Sequence, residues 1–252
     1  MSYALASTRL LILGMGALIW LITGIILCTV RPKHRNNVFV LTQMLRLVQP
    51  IVGVKVVIDC DLKALRKEMP AIFVGLHQCD WDIITMADLP QPGVVCVGKK
   101  SLIYTPIFGL IFFLSGNILI DRDNRTKAAE AFLKLADKIK NKGLSVWVFP
   151  EGSRSGYGPV KPFKTGALHT AMLSKVKVFP FVTSTYTKQI KLGRLNNGEV
   201  HIKLLEPIDG ATLNRHDIAK ATAALRENMI AAMHELDQHV MRPNDYVLPP
   251  DR

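Results

Sequence analysis

Two kinds of hydrophobic pattern divide the chain. From Leu10 to Val30, LLILGMGALIWLITGIILCTV, no residue carries a charge. As one helix this run is about 31 Å long, close to the thickness of a hydrocarbon layer. It is long for the apolar part of a cleaved signal peptide, and no A-x-A site follows it. From Val38 to Val48, Phe39, Val40, Met44, Leu47 and Val48 recur at helical spacing, with Arg46 off that face. This predicts a second, amphipathic helix that could lie in the interface beside the first.

After residue 50 the period changes. Short β-branched runs predict strands at Val52–Ile58, Ala71–Leu76, Val94–Val97, Ile118–Ile120, Leu144–Phe149, Val176–Tyr186 and Val200–Leu205. Between them, Asn124–Asn141 sets Ala128, Phe132, Leu135 and Ile139 on one face; it starts after Asp123 and stops at Gly143, with a cap at each end. Ile218, Leu225, Met229, Ala232, Leu236 and Val240 predict a long C-terminal amphipathic helix. The alternation predicts an α/β domain over residues 51–252, with the chemistry on loops at strand ends, behind membrane-anchoring helices in residues 1–50. Leu102–Ile120 is also uncharged, but Pro106, Gly109, Gly116 and Asn117 interrupt it. A span there would put Lys99 and Lys100 on the opposite side of the membrane from Arg122. A broken segment, acyl-binding or membrane-facing, is the better reading.

Charge adds direction to this picture. The chain of 252 residues has a formal charge of +12. Residues 1–58 contain no Asp or Glu and hold Arg9, Arg31, Lys33, Arg35, Arg46 and Lys55. A basic collar, Arg31-Pro-Lys-His-Arg35, follows the apolar run, against a single Arg9 before it. The positive-inside rule keeps the collar and all that follows on the cytoplasmic side. A basic chain prefers anionic partners: nucleic acid, an anionic membrane or a phosphorylated substrate. Nucleic acid fits poorly, because the basic residues flank apolar segments rather than a recognition helix. Four cysteines without a CxxC pair exclude a disulfide scaffold and a zinc ribbon.

Three constellations carry candidate chemistry. His77-Gln-Cys-Asp-Trp-Asp82 follows an apolar run, so the imidazole and a carboxylate can pair across one loop. The carboxylate then fixes the tautomer and leaves the other ring nitrogen as a base. Phe149-Pro-Glu-Gly-Ser-Arg-Ser155 leaves another run; its Gly152 frees backbone N–H groups for an anion, Arg154 offers a fork that matches phosphate, and Glu151 could bind a hydroxyl or hold Arg154. Val97-Gly-Lys-Lys-Ser101 and Gly116-Asn-Ile-Leu-Ile-Asp-Arg122 each put cations after an apolar run. Taken singly, each also reads as a surface turn, a capping histidine or a solvated charge. Together they describe a base, a phosphate site and an apolar surround. No G-x-S-x-G, GxxxxGK[ST] or GxGxxG is present, and His234 and His239 are spaced so as to splay around a helix rather than share a metal.

The HQxxxD start, the block GNILIDRDNRTKA (Gly116–Ala128), FPEGSRS and Pro162-Phe-Lys-Thr-Gly166 resemble the 1-acylglycerol-3-phosphate acyltransferases of bacterial phospholipid synthesis, over about Val52 to Leu205. The resemblance implies a glycerolipid acyltransferase-like α/β domain on an N-terminal helix pair seated on one leaflet. It implies His77 as general base with Asp82 as partner, Arg122 and Arg154 on the glycerol-phosphate, Glu151 and Gly152 in the same acceptor motif, and Lys99 and Lys100 near the phosphate. Phe179-Pro180-Phe181 matches the block that shapes the acyl or acceptor pocket. The implied reaction is direct transfer from acyl-CoA or acyl carrier protein to the sn-2 hydroxyl of lysophosphatidate, with no cofactor and no metal, at the cytoplasmic face of a bacterial inner membrane. The chain departs from the pattern at Leu76, where Asn is common, at Cys79 and Asp80, which replace a small polar pair, and at Lys177. Asp80 leaves two carboxylates near His77. The alternatives are transfer to another lysolipid, or lipid binding without turnover.

Overall fold

The structure, a computed structural model, describes residues 2–106 and 108–249. Helix α1 (Tyr3–Val30) is followed by α2 (Asn37–Arg46) and α3 (Val48–Val52). The single helix expected over Val38–Val48 is therefore broken at Leu47. Pro50 has no N–H and its ring would collide with the carbonyl of Arg46, so α2 cannot run on through it. Val52 belongs to α3 rather than to a strand: Gly53, at φ 72°, ends the helix, and β1 (Lys55–Asp59) starts only after it.

Next come α4 (Leu62–Lys67), β2 (Ile72–Gly75), α5 (Asp82–Thr85), β3 (Val94–Lys99), a 3-10 turn (Lys100–Tyr104), α6 (Phe108–Leu114) and β4 (Ile118–Ile120). Then follow α7 (Arg125–Lys142), β5 (Ser145–Val148), α8 (Gly166–Ser174), β6 (Lys177–Thr183), β7 (Glu199–Leu204), β8 (Ile208–Asp209) and α9 (Ile218–His239). Helix α7 has Asn124 as its N-cap, accepting from the Lys127 N–H, and Gly143 in the left-handed region at its end. Within Leu102–Ile120, the interrupted stretch forms the 3-10 turn, α6 and β4.

The strands form one sheet in the order β1-β7-β6-β2-β5-β3-β4, with β8 on β6. Strands β6, β2, β5, β3 and β4 run parallel, and β7 and β8 pair antiparallel with β6. Every residue of β2 and β5 is buried, as expected where a parallel sheet is covered on both faces. One face packs Leu135 and Ile139 of α7, Leu168 and Ala171 of α8, and Leu225 and Met229 of α9. The other face holds an aromatic layer. Phe73 pairs in register with Trp147 and Phe179, with ring centroids 6.2 and 5.9 Å away. These faces hold the central strands rigidly, so groups on their ends start from fixed positions.

Helix α1 is long and apolar enough to cross a membrane, and little of its apolar stretch is buried. It nevertheless touches the rest of the protein along its length. Near its start the buried guanidinium of Arg9 donates to the carbonyls of Leu192, Arg194 and Leu195. In its middle Trp20 Nε1 donates to the Leu41 carbonyl at 3.1 Å. Just beyond its end the Lys33 N–H donates to the Leu114 carbonyl at 2.8 Å.

Candidate active site

Because β2, β5, β3 and β4 are parallel neighbours, their C-terminal ends open on one edge of the sheet, the place where open α/β sheets bind ligands. His77 lies just after β2, Glu151 and Gly152 after β5, Lys99 at the end of β3, and Arg122 after β4. Four segments remote in sequence thus meet because of strand order.

His77 Nδ1 lies 2.5 Å from Asp82 Oδ2. Asp82, not Asp80, is the partner. It opens α5 and is buried, and its carboxylate also accepts from the Gln78 N–H (2.9 Å), the Cys79 N–H (3.0 Å) and the Tyr186 hydroxyl (2.6 Å). A carboxylate taken from water needs such donors to stay charged. With Nδ1 turned to Asp82, Nε2 is the nitrogen available to a proton from substrate. Phe149 stacks on the imidazole, its centroid 4.2 Å away, and holds the ring plane from one side.

Glu151 does not hold Arg154. It is buried and accepts from the His77 N–H (2.7 Å) and the Lys161 N–H (3.0 Å). The Ser155 and Gly156 N–H groups donate to the His77 and Gln78 carbonyls at 2.8 and 3.0 Å, so the first two motifs are stitched into one unit. Gln78 anchors that unit to the end of β6 through Thr183 Oγ1 and the Ser184 carbonyl, both at 2.9 Å.

The cations expected around a phosphate are placed differently from one another. Arg122 is half-buried; its guanidinium donates to the Gly152 and Val97 carbonyls, and burial pulls it below its ordinary pKa. Gly152 takes φ 76°, a left-handed conformation that strains any other side chain, and a Cβ there would come within 3.1 Å of the Lys164 side chain. Lys99, Lys100 and Arg154 instead pair with Asp123 (3.0 Å), Asp121 (3.8 Å) and Asp80 (2.8 Å).

Two cavities meet at Phe149. An apolar one of about 130 Å³ runs from His77 under the membrane-type helices, between Trp20 of α1, Leu41 of α2, Phe108 and Ile111 of α6, and Trp147 of β5. A larger one of about 970 Å³ lies on the side of α7 and α8; Arg122, Lys164, His169 and Arg215 line it, and among the described residues no acidic side chain does. Lys99, Lys100 and Arg154 line neither.

Sequence reasoning left out Tyr186, Phe149 and Lys164. Phe149 and Lys164 sit inside the FPEGSRS and PFKTG blocks, so the signal was present and only their roles were missing. Nothing in the sequence ties Tyr186 to Asp82, 104 residues away.

A histidine paired with a buried carboxylate thus lies at the strand ends, between an apolar cavity and one lined by cationic side chains. A family model described as Acyltransferase matches residues 57–184, the span that contains this site. The 1-acyl-sn-glycerol-3-phosphate acyltransferase of Haemophilus influenzae is 36% identical over 225 residues, covering 88% of this chain and 92% of that protein. Its counterpart in Escherichia coli K12 is 36% identical over 233 residues, covering 92% of this chain and 94% of that one. The crystal structure of the LPA acyltransferase PlsC from Thermotoga maritima superposes with a TM-score of 0.59 at 22% identity, over 77% of this chain and 80% of that one, which establishes the shared fold. The chain belongs to the family of 1-acyl-sn-glycerol-3-phosphate acyltransferases.

Proposed function

We propose that the protein transfers a fatty acyl group from a thioester donor, acyl-CoA or acyl carrier protein, to the sn-2 hydroxyl of 1-acylglycerol-3-phosphate, giving phosphatidic acid. The observation that carries this reading is the His77–Asp82 pair at the mouth of the apolar cavity. His77 Nε2 takes the hydroxyl proton as that oxygen attacks the thioester carbonyl. The imidazolium formed is stabilised by Asp82 and returns the proton to the departing thiolate. A positioned general base is worth about 10²–10⁴-fold. Arg122, backed by Lys164, holds the acceptor phosphate, so binding energy supplies orientation. The apolar cavity takes acyl chain.

Membrane attachment follows from α1. Leu10, Leu11, Met15, Leu18, Ile19 and Ile26 expose apolar side chains along it, and Tyr104 and Leu110 do so on the neighbouring 3-10 turn and α6. A helix of 28 residues is about 42 Å long, so a perpendicular span would carry one end roughly a bilayer away from the domain. The contacts of both Arg9 and Lys33 with the domain support α1 lying in one leaflet instead, and the basic collar Arg31–Arg35 supports the cytoplasmic face of a bacterial inner membrane.

The test is acyltransfer by membranes carrying the protein, with lysophosphatidate, both donors, and monoacylglycerol as the phosphate-free control. Lysophosphatidate should be strongly preferred. Equal use of monoacylglycerol would exclude the phosphate site. Protease added to sealed spheroplasts should spare both an N-terminal tag and the catalytic domain; loss of the tag alone would indicate a span, and loss of the domain the opposite face.

A further inference from the structure

We propose that Tyr186 is a positioning residue of the transfer reaction: its phenol fixes the rotation of the Asp82 carboxylate and draws charge onto the oxygen that faces away from His77. The proposal rests on His77 being the base.

The geometry divides the two oxygens of Asp82. Oδ2 faces the imidazole, at 2.5 Å from Nδ1, and accepts the Gln78 N–H. Oδ1 accepts the Tyr186 hydroxyl at 2.6 Å and the Cys79 N–H. The phenol in turn accepts from Thr85 Oγ1 at 3.0 Å, which strengthens it as a donor. Tyr186 is fully buried, and burial, reinforced by the charge of Asp82, pushes the phenol well above its ordinary pKa. It stays protonated and can only give its hydrogen to the carboxylate. The groups around it are Asp82, Cys79 and Thr85. Around His77 they are Asp82 and, on the β5 side, Glu151, which accepts the His77 N–H; the Asp80–Arg154 pair lies outside in solvent.

The segment that carries Tyr186 is itself held. Its N–H donates to Gln78 Oε1 at 3.1 Å, and the neighbouring Thr185 donates from its N–H and Oγ1 to Asp237 of α9, both at 2.6 Å. The phenol therefore reaches Asp82 from a fixed support on the other side of the loop. A charge-assisted bond of this kind sets direction as well as energy. Without it, the carboxylate turns more freely, and more of its charge rests on Oδ2. The first effect slows transfer. The second favours the protonated imidazole, so the base is lost at a higher pH than before.

The test uses the full chain in detergent micelles and the variants Tyr186→Phe and Thr85→Val. Both keep the volume and remove one hydroxyl. For Tyr186→Phe, kcat should fall roughly tenfold, the rate equivalent of one charge-assisted hydrogen bond, with both KM values within about twofold. The acidic limb of its kcat–pH profile should move to higher pH. Thr85→Val should do the same to a smaller extent. A fall in kcat with the limb unmoved would make Tyr186 a structural residue and overturn the proposal, as would a wild-type kcat. If Tyr186→Phe does not fold, an unmoved limb in Thr85→Val overturns it. A His77→Ala control separates the two ideas: an active His77→Ala enzyme defeats the base itself, whereas an inactive one beside a silent Tyr186→Phe defeats only this inference.

Discussion

The His77–Asp82 pair after β2 and the ion pairs of Lys99 and Arg154 lie at the same edge of the same sheet, but they are held by opposite means. Asp82 has a side chain 1% exposed, and four hydrogen bonds hold it. The carboxylates that pair with Lys99 and Arg154, Asp123 and Asp80, are 76% and 84% exposed. Exposed ion pairs contribute little, because water and salt compete for both partners. In the proposed reaction the base must be oriented before substrate arrives, and a buried carboxylate with four hydrogen bonds suits that role, whereas exposed cations can exchange their partners for an incoming anion. Arg122 stands between the two cases: it is half-buried and bonded to backbone carbonyls, whose loss to an incoming anion leaves no carboxylate in repulsion with it.

The largest expected effect removes the rigid half. His77→Ala should lose at least about 10²-fold in kcat while the protein stays membrane-bound, measured by radiolabelled acyltransfer. Near-normal turnover would break the contrast at its root. Arg122→Ala should come next, with kcat/KM for lysophosphatidate down by about 2 kcal/mol, or thirtyfold, and the donor KM changed much less. Titrating each substrate at saturation of the other reads this directly. Sequence alone set Arg154 beside Arg122; with its fork exposed and paired to Asp80, Arg154→Lys should cost only about threefold in acceptor KM, a difference that fades in high salt. The smallest effect has the opposite sign. Asp80→Asn frees Arg154 from its carboxylate and should lower the acceptor KM by roughly twofold or less at low ionic strength. A rise in KM there would mean that Asp80 orients Arg154 for the substrate rather than competing with it.

Much of this arrangement was legible in the chain. The strands β2, β3, β4 and β5 fall within a residue or two of their β-branched runs, and Gly143 and Asn124 bracket α7, because these signals are local. The pairing of His77 with a carboxylate was legible too, since the two share one loop. The resemblance named Asp82, but spacing left Asp80, three residues from His77 rather than five, as a rival; the start of α5 turns Asp82 inward while Asp80 points to solvent. Of the two roles open to Glu151, a substrate hydroxyl or Arg154, the second failed for a related reason. A glutamate three residues before an arginine suggests a local ion pair, but strand order brings the His77 N–H to it first.

The sequence by itself determined the apolar N-terminal helix with its basic collar and the α/β alternation, because each depends on the period of side chains within a few turns or strands, and it placed the motif histidine and cations just after the strands. Only the tertiary structure decided that α1 is tied to the domain at both ends, that Lys99 and Lys100 face their own aspartates, that Phe149 divides an apolar cavity from a cationic one, and that Tyr186 reaches Asp82. These depend on which strands lie side by side and on where distant loops land. That is settled by burial of both sheet faces together, a property of the whole chain that no short window contains.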